Sequence, residues 1–379
     1  MKINTTAQSK DNFRGTPPVL STRALNRALL ARQMLLTRVN LPVLDAIERL
    51  VGIQAQDPNA PYFGLWTRLE EFRPDDLSNL IQNKKVMRLA LMRSTIHLVS
   101  SKDGMSLRPL IQSVQETVLK NSFGKHLNGL DTQAVAEAGR ALVETKPLTF
   151  SELGKLLGKQ WPNVESAALA AVVRTLVPLV QMPPRGIWGK SGQAIHTSAE
   201  AWIGRLPFSK LTTEDIILRY LSAFGPATIQ DIQVWSGLTR LKEKIRQLLP
   251  QLIIFHNDQG NELLDIPSAP RPDQNVPSPP RFLGGFDNIL LSYADRKRII
   301  DESYRNIVFT KNGIIRPTIL IDGFVSGLWK VQKEKGTVKL IIELFNKLPD
   351  EEHNALTEEG TRLLDFIAGQ ESSREILFV

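Results

Sequence analysis

The chain contains no cysteine. Disulfides, thiolate-bound zinc and thiol nucleophiles are thereby excluded, and the absence fits a cytoplasmic protein. No apolar run approaches the roughly 18 residues that a membrane-spanning helix needs. The N-terminus also lacks the apolar core of a signal peptide. Histidine is scarce, at positions 97, 126, 196, 256 and 353, and the spacing matches no metal-ligand pattern. Neither a nucleophile elbow nor a phosphate-binding P-loop occurs, and Gly284-Gly285 reads as a turn, not a dinucleotide fingerprint. The sequence therefore predicts neither a metal nor a cofactor.

What is present is an ordinary globular composition with a basic excess. The 379 residues suffice for two to four domains, and 42% apolar with 23% charged residues is typical of a soluble fold. The 47 Lys and Arg outweigh 39 Asp and Glu, giving a net charge of +8 and a pI near 9.6. Such an excess suits a polyanionic partner such as nucleic acid.

Periodicity divides the chain. Residues 1–19 read as a flexible polar tail. Helical patterns follow from a Ser21 cap to about Leu36, from Pro42 to Ile53, from Tyr62 to Glu70 and from Pro74 to Asn83. Val86 to Val99 then reads as strand, turn, strand. Helices ending in a hairpin are the order of a winged helix-turn-helix unit, here 20–128. The order returns over 129–207, with a capping box at Thr149 and Glu152 and an apolar helix from Glu165 to Val180. It returns again over 208–267, where Leu238 to Leu249 is the expected recognition helix and 252–266 the hairpin. Residues 268–280 carry five prolines and form a linker. Beyond it, 281–379 alternates short strand patterns, among them Ile289 to Tyr293 and Ile314 to Ile321. A final helix from Thr357 to Ile367 follows them. The prediction is an α+β, mainly α fold: three tandem winged-helix units and a small C-terminal β-barrel.

One stretch does not fit a simple amphipathic pattern. Leu44, Ile47, Leu50 and Val51 mark one buried helix face, and Gln54 would continue it with an amide. Asp57-Pro58 disfavours helix, so the segment is expected to unwind there and turn Gln54 and Gln56 to one side, with Ala55 facing away. A helix end capping its own carbonyls and a pair of amides held over a cleft both satisfy this pattern.

The basic residues cluster. Arg240, Lys242, Lys244 and Arg246 fall on the expected recognition helix, where they would meet phosphates and base edges. Arg296, Lys297 and Arg298 form a second group; Lys330, Lys333, Lys335 and Lys339 surround a turn and form a third. A solvated, solubilising face explains such groups equally well.

Four segments together carry a resemblance: Leu50-Val51-Gly52-Ile53-Gln54-Ala55-Gln56-Asp57-Pro58, Arg93-Ser94-Thr95-Ile96-His97-Leu98-Val99, Leu291-Ser292-Tyr293-Ala294-Asp295-Arg296 and Val325-Ser326-Gly327-Leu328-Trp329-Lys330. Over about residues 20–370 the chain resembles the winged-helix-repeat DNA glycosylases of the AlkZ-like and AlkX-like type. That resemblance implies three winged-helix units and a β-barrel forming a C-shaped clamp on double-stranded DNA. It also implies a monofunctional glycosylase, acting as a monomer, that removes N7-alkylated guanines and unhooks interstrand crosslinks. Gln54-Ala55-Gln56 matches the Gln-apolar-Gln signature of the AlkZ branch and marks Gln54 and Gln56 as the catalytic pair. Arg93, His97 and Asp57 are candidates for support. A non-catalytic winged-helix DNA-binding protein or regulator would share the architecture but would need no glutamine pair on a buried stripe. A scaffold that binds proteins through winged helices is the third alternative.

Overall fold

The computed structural model describes residues 17–204, 210–334, 336–368 and 373–379. Lys335 and all but the last residues of the expected tail, over 1–16, lie outside the described residues. The fold is α+β and rich in helix.

Local chemistry sets the helix starts. Ser21 caps the Thr22–Arg32 helix by accepting from the Ala24 amide at 3.1 Å. Thr149 and Glu152 close a reciprocal capping box: the hydroxyl accepts from the Glu152 amide at 3.2 Å and the carboxylate from the Thr149 amide at 2.8 Å. Helix ends depart further from the sequence reading. The helix expected to reach Ile53 is Val43–Arg49, and the chain turns sharply at Val51 (φ 55°) and Gly52 (φ 87°). A Cβ at Gly52 would lie 2.5 Å from Val99 Cγ1, so both the left-handed conformation and the close packing require glycine. Ile53–Gln54 is then a short strand. Likewise the apolar helix ends at Leu176 and Leu179–Gln181 is a strand.

Three sheets organise the fold. Ile53–Gln54 is the edge strand of a five-stranded sheet that continues through Ile96–Ser100, Val86–Ala90, Leu179–Gln181 and His196–Ser198. The first two expected units thus share one sheet. A second sheet joins Val19–Leu20 in parallel to Ile253–Asn257, which pairs with Glu262–Asp265. The third is C-terminal: Arg281–Leu283, Thr318–Ile321, Phe324–Glu334, Thr337–Leu344 and a parallel Ser373–Phe378. It is open among the described residues, since its two terminal strands do not pair, and no closed barrel is formed. The Asp350–Ile367 helix, longer than expected, packs on this sheet and brings Leu356, Leu363 and Leu364 into its core. Two further expectations fail. The apolar run 289–293 is not a strand: Asp287 accepts from the Ile289 amide and starts a 3-10 turn, Asn288–Leu290. The expected recognition helix shortens to Lys242–Leu248, because Arg240 sits at φ 59° and keeps the preceding residues out of the helix.

Buried ion pairs fasten the N-terminal helices to the rest. Arg32 meets Asp265 at 2.7 Å with both side chains fully enclosed. Arg68 meets Asp287 through two bonds of 2.8 Å, and Arg38 meets Glu359 at 2.6 Å. Removing one partner of such a pair leaves an uncompensated buried charge. Because Asp265 also contacts Arg271 at 2.6 Å, Arg32→Met should cost about 3 kcal/mol, the low end for a broken buried pair. Urea unfolding read by circular dichroism measures it; a loss below about 1 kcal/mol would mean that Arg271 alone compensates Asp265.

Candidate active site

The early helix stop makes Gln54 a strand residue. Its register partner across the ladder is His97, and the Ala55 amide continues the pairing by donating to the Ile96 carbonyl at 2.8 Å. Gln54 is 3% exposed, Ala55 is buried and Gln56 is exposed. The two amides therefore differ in setting: one is built into the sheet edge, the other lies at its surface.

Hydrogen bonding fixes how the amides face. Arg93 Nη2 donates to Gln54 Oε1 at 2.8 Å, and the Ile96 amide donates to Gln56 Oε1 at 3.2 Å. A guanidinium and a backbone N–H can only donate, so both glutamines turn their oxygens toward the Arg93–Ile96 turn. Each carbonyl keeps one free lone pair. Neither NH2 group has a hydrogen-bond partner among the described residues. On the other side of Gln54, the Asn288 amide accepts from its backbone N–H at 3.1 Å and donates to the Gly52 carbonyl at 2.7 Å. Asn288 escapes sequence reading, because 234 positions separate it from Gln54.

The turn that carries Arg93 is strained and well braced. Arg93 (φ 54°) and Ser94 (φ 59°) are consecutive left-handed residues without being glycine. Arg93 also donates to the Trp235 carbonyl, and Arg174 donates to the Ser94 carbonyl at 2.6 Å. Burial, then the like charge of Arg296, lowers the Arg93 pKa to about 10, so it stays charged at neutral pH. His97 is different. Burial, reinforced by Arg93, pushes it down to about 3, and its Nδ1 contacts the Thr95 carbonyl at 3.0 Å. A neutral imidazole of this kind is no general acid. Asp57 is exposed and bonds its own turn, accepting from the Asn59 amide at 2.8 Å.

The arginines of this region differ from those in the ion pairs. Among the described residues, Arg88, Arg93, Arg174 and Arg296 make no ion pair. Arg88 donates to the Ala55 carbonyl at 2.8 Å, while its Nε and Nη1 are buried without partners. Arg296 lies over the Phe309 ring and leaves Nε unpartnered. Positive charge beneath the Gln54–Gln56 segment is thus uncompensated by protein carboxylates in contact.

The other basic candidates separate by exposure. Arg240, Lys242, Lys297, Lys330 and Lys333 are exposed. Lys244 contacts Glu214 at 2.9 Å, Arg246 contacts Glu243 at 2.7 Å and Lys339 contacts Glu334 at 2.9 Å. Arg298 is a correction. It is buried, donates to the Pro226 carbonyl at 2.7 Å and lies 4.1 Å from the Tyr293 ring centre, so it cannot reach a phosphate. Among the described residues no group of three metal-ligating side chains occurs, and no helix is long and apolar enough to cross a membrane.

Comparison with known proteins decides the family. The family model for AlkZ-like DNA glycosylases matches residues 47–366. The chain belongs to the AlkZ-like DNA glycosylases. An interstrand DNA cross-link repair glycosylase of Streptomyces sahachiroi is 24% identical over 326 residues, 80% of this chain and 85% of the relative. The solved structure of the Streptomyces sahachiroi DNA glycosylase AlkZ matches with a TM-score of 0.76 and 21% identity. It covers 95% of this chain and 100% of that one, so the fold is shared. In this AlkZ-like enzyme the glutamine segment falls inside the matched region.

The environment of His97 has a consequence for pH. Its folded pKa lies below the ordinary value of 6.5, so the unfolded chain binds the extra proton first as pH falls. The stability owed to neutral His97 is complete above about pH 6.5 and declines toward pH 3. Nitrogen-15 NMR of the imidazole should show it neutral at pH 5. A protonated ring there would reopen His97 as an acid.

Proposed function

We propose that this glycosylase releases cationic N7-alkylguanines from double-stranded DNA and unhooks interstrand crosslinks, with Gln54 and Gln56 at the scissile bond. It works as a cytoplasmic monomer. Three winged-helix units over 20–128, 129–207 and 208–267, a linker at 268–280 and the strand-rich 281–379 segment grip the duplex.

One observation carries the substrate assignment: the groups bonded to Gln54 and Gln56 are a guanidinium, a backbone amide and the Asn288 amide, none of them a general acid at neutral pH. A base released without general-acid help must already be a good leaving group. Alkylation at N7 supplies that by making the guanine cationic. What remains is to stabilise an oxocarbenium-like sugar and to orient water at the anomeric carbon. The free lone pair on each glutamine oxygen serves both needs as a fixed dipole, though an amide is too weak a base to take a full proton. The crosslink assignment draws on the activity named for the Streptomyces relative.

Charge is divided between two kinds of group. Arg93 and Arg296, which pair with no carboxylate among the described residues, are assigned to phosphates, which bring a dense negative charge along the duplex. The neutral amides face the cationic base, where another positive group would repel it. Exposed Arg240, Lys242, Lys330 and Lys333 extend the phosphate grip.

Single-turnover release from duplex carrying N7-methylguanine, scored as abasic sites, tests this reading. Gln54→Ala and Gln56→Ala should each slow release about 100-fold, the effect of losing one preorganised dipole. Binding without release by the unaltered protein would overturn the substrate assignment, and release that survives both changes would overturn the site. Hypoxanthine, an uncharged base, should be a poor substrate; its release at a comparable rate would remove the leaving-group argument. Arg240→Ala with Lys242→Ala should lower the slope of log affinity against log salt by about 2, one unit per phosphate contact. An unchanged slope would take these residues off the DNA.

A further inference from the structure

We infer that Asn288 is a positioning residue for Gln54. The inference rests on the proposed role of Gln54 in base release and deepens it. Ile53–Gln54 is an edge strand that pairs on one side only, with Ile96–Ser100. Its other side is completed by a side chain. Asn288 accepts from the Gln54 N–H at 3.1 Å and donates to the Gly52 carbonyl at 2.7 Å, spanning Ile53 as a neighbouring strand would. The orientation of this amide follows from its partners, since an N–H only donates and a carbonyl only accepts.

The clamp is itself held. Asp287, the adjacent residue, forms its two-point pair with Arg68, which also donates to the Gly64 carbonyl at 2.9 Å. Asn288 thus grips the chain before the glutamine pair, and Asp287 grips the Ala60–Trp66 helix just after it. Gly284 makes a third contact, where a Cβ would come within 3.1 Å of both the Ala60 carbonyl and Phe63 Cβ. The Asp287-Asn288 dipeptide therefore brackets the Gln54-Ala55-Gln56 segment at both ends. Arg93 orients the Gln54 side chain, and Asn288 fixes the backbone from which it projects. Both are needed, because a displacement of about 1 Å at a reacting group can cost 100-fold in rate.

Asn288→Ala should slow single-turnover release from N7-methylguanine duplex about 100-fold while duplex affinity stays within about twofold. The thermodynamic cycle separates positioning from general support. In a Gln54→Ala background, Asn288→Ala should slow release by less than about threefold further, because the group it positions is gone. Full additivity of the two losses, or an unchanged rate in Asn288→Ala, would overturn the inference. Asn288→Ser, whose hydroxyl keeps one of the two bonds, should fall between, and it serves if the alanine variant does not fold. Backbone amide exchange at Gln54, read by NMR, needs no substrate. It should be slow in the unaltered protein and at least about tenfold faster in Asn288→Ser and Asn288→Ala. Fast exchange in the unaltered protein would refute the clamp, whereas absence of base release with slow exchange would count against the proposed function alone.

Discussion

A guanidinium withdrawn from water costs several kcal/mol unless a charge or a full set of acceptors meets it. The architecture turns on how that cost is met. Arg27, Arg32, Arg38 and Arg68, all from the first fifth of the chain, find their carboxylates at Asp322, Asp265, Glu359 and Asp287. These pairs leave few alternative arrangements of N-terminal helices and C-terminal segments, since each wrong register would strand a buried charge. The hydrophobic core follows the same routing. Leu29 and Leu35 pack in one cluster with Tyr220, Phe224, Leu264 and Leu320. By contrast, the cluster that includes Val135, Leu153, Val172 and Val173 is confined to the 119–179 region.

That routing explains which parts of the fold were legible in the sequence. Helix existence was, and so was a start that carries its own cap, because period and caps are local: Thr149 and Glu152 bond within their own first turn. Other helix bounds were not: Val51 and Arg240 take positive φ under tertiary packing, which side-chain periodicity does not encode, so one helix stops early and another starts late. The 289–293 run misled for a related reason. A short apolar stretch suits a strand or a buried turn, and the Asp287 cap decides for the turn. Sheets that join the first unit to the second, or residue 19 to residue 256, depend on long-range pairing invisible to local patterns.

The candidate site could be named from sequence in its central residues, whereas the groups around them were hidden. Gln54, Gln56, Arg93 and His97 stand out in short motifs; strand pairing sets Gln54 opposite His97, and hydrogen bonds from Arg93 and the Ile96 amide reach Gln54 and Gln56. Basic clustering was the weaker guide: Arg296, Lys297 and Arg298 are neighbours in sequence, yet one is half-buried, one exposed and one enclosed. Asn288, Arg88 and Arg174 donate to the carbonyls of Gly52, Ala55 and Ser94, none of them a strand residue and all far from their donors in sequence. Asparagine and arginine at those positions carry no pattern that distinguishes them from surface residues.

The neutrality of the glutamine pair follows from its neighbours as much as from its substrate. A carboxylate at position 54 would face Arg93 Nη2, which now donates to Gln54 Oε1. It would form an ion pair and neutralise a guanidinium that meets no protein carboxylate among the described residues. The amide accepts the same hydrogen bond without cancelling the charge, so Arg93 orients Gln54 and keeps the charge that the proposed function assigns to phosphates. At position 56, Gln56 Oε1 bonds a backbone N–H and not a charged group, and its side chain is exposed. An acid there would remain ionised and would not silence Arg93. The electrostatic constraint to a neutral side chain therefore falls on Gln54, which meets a guanidinium, and not on Gln56, which meets a backbone N–H.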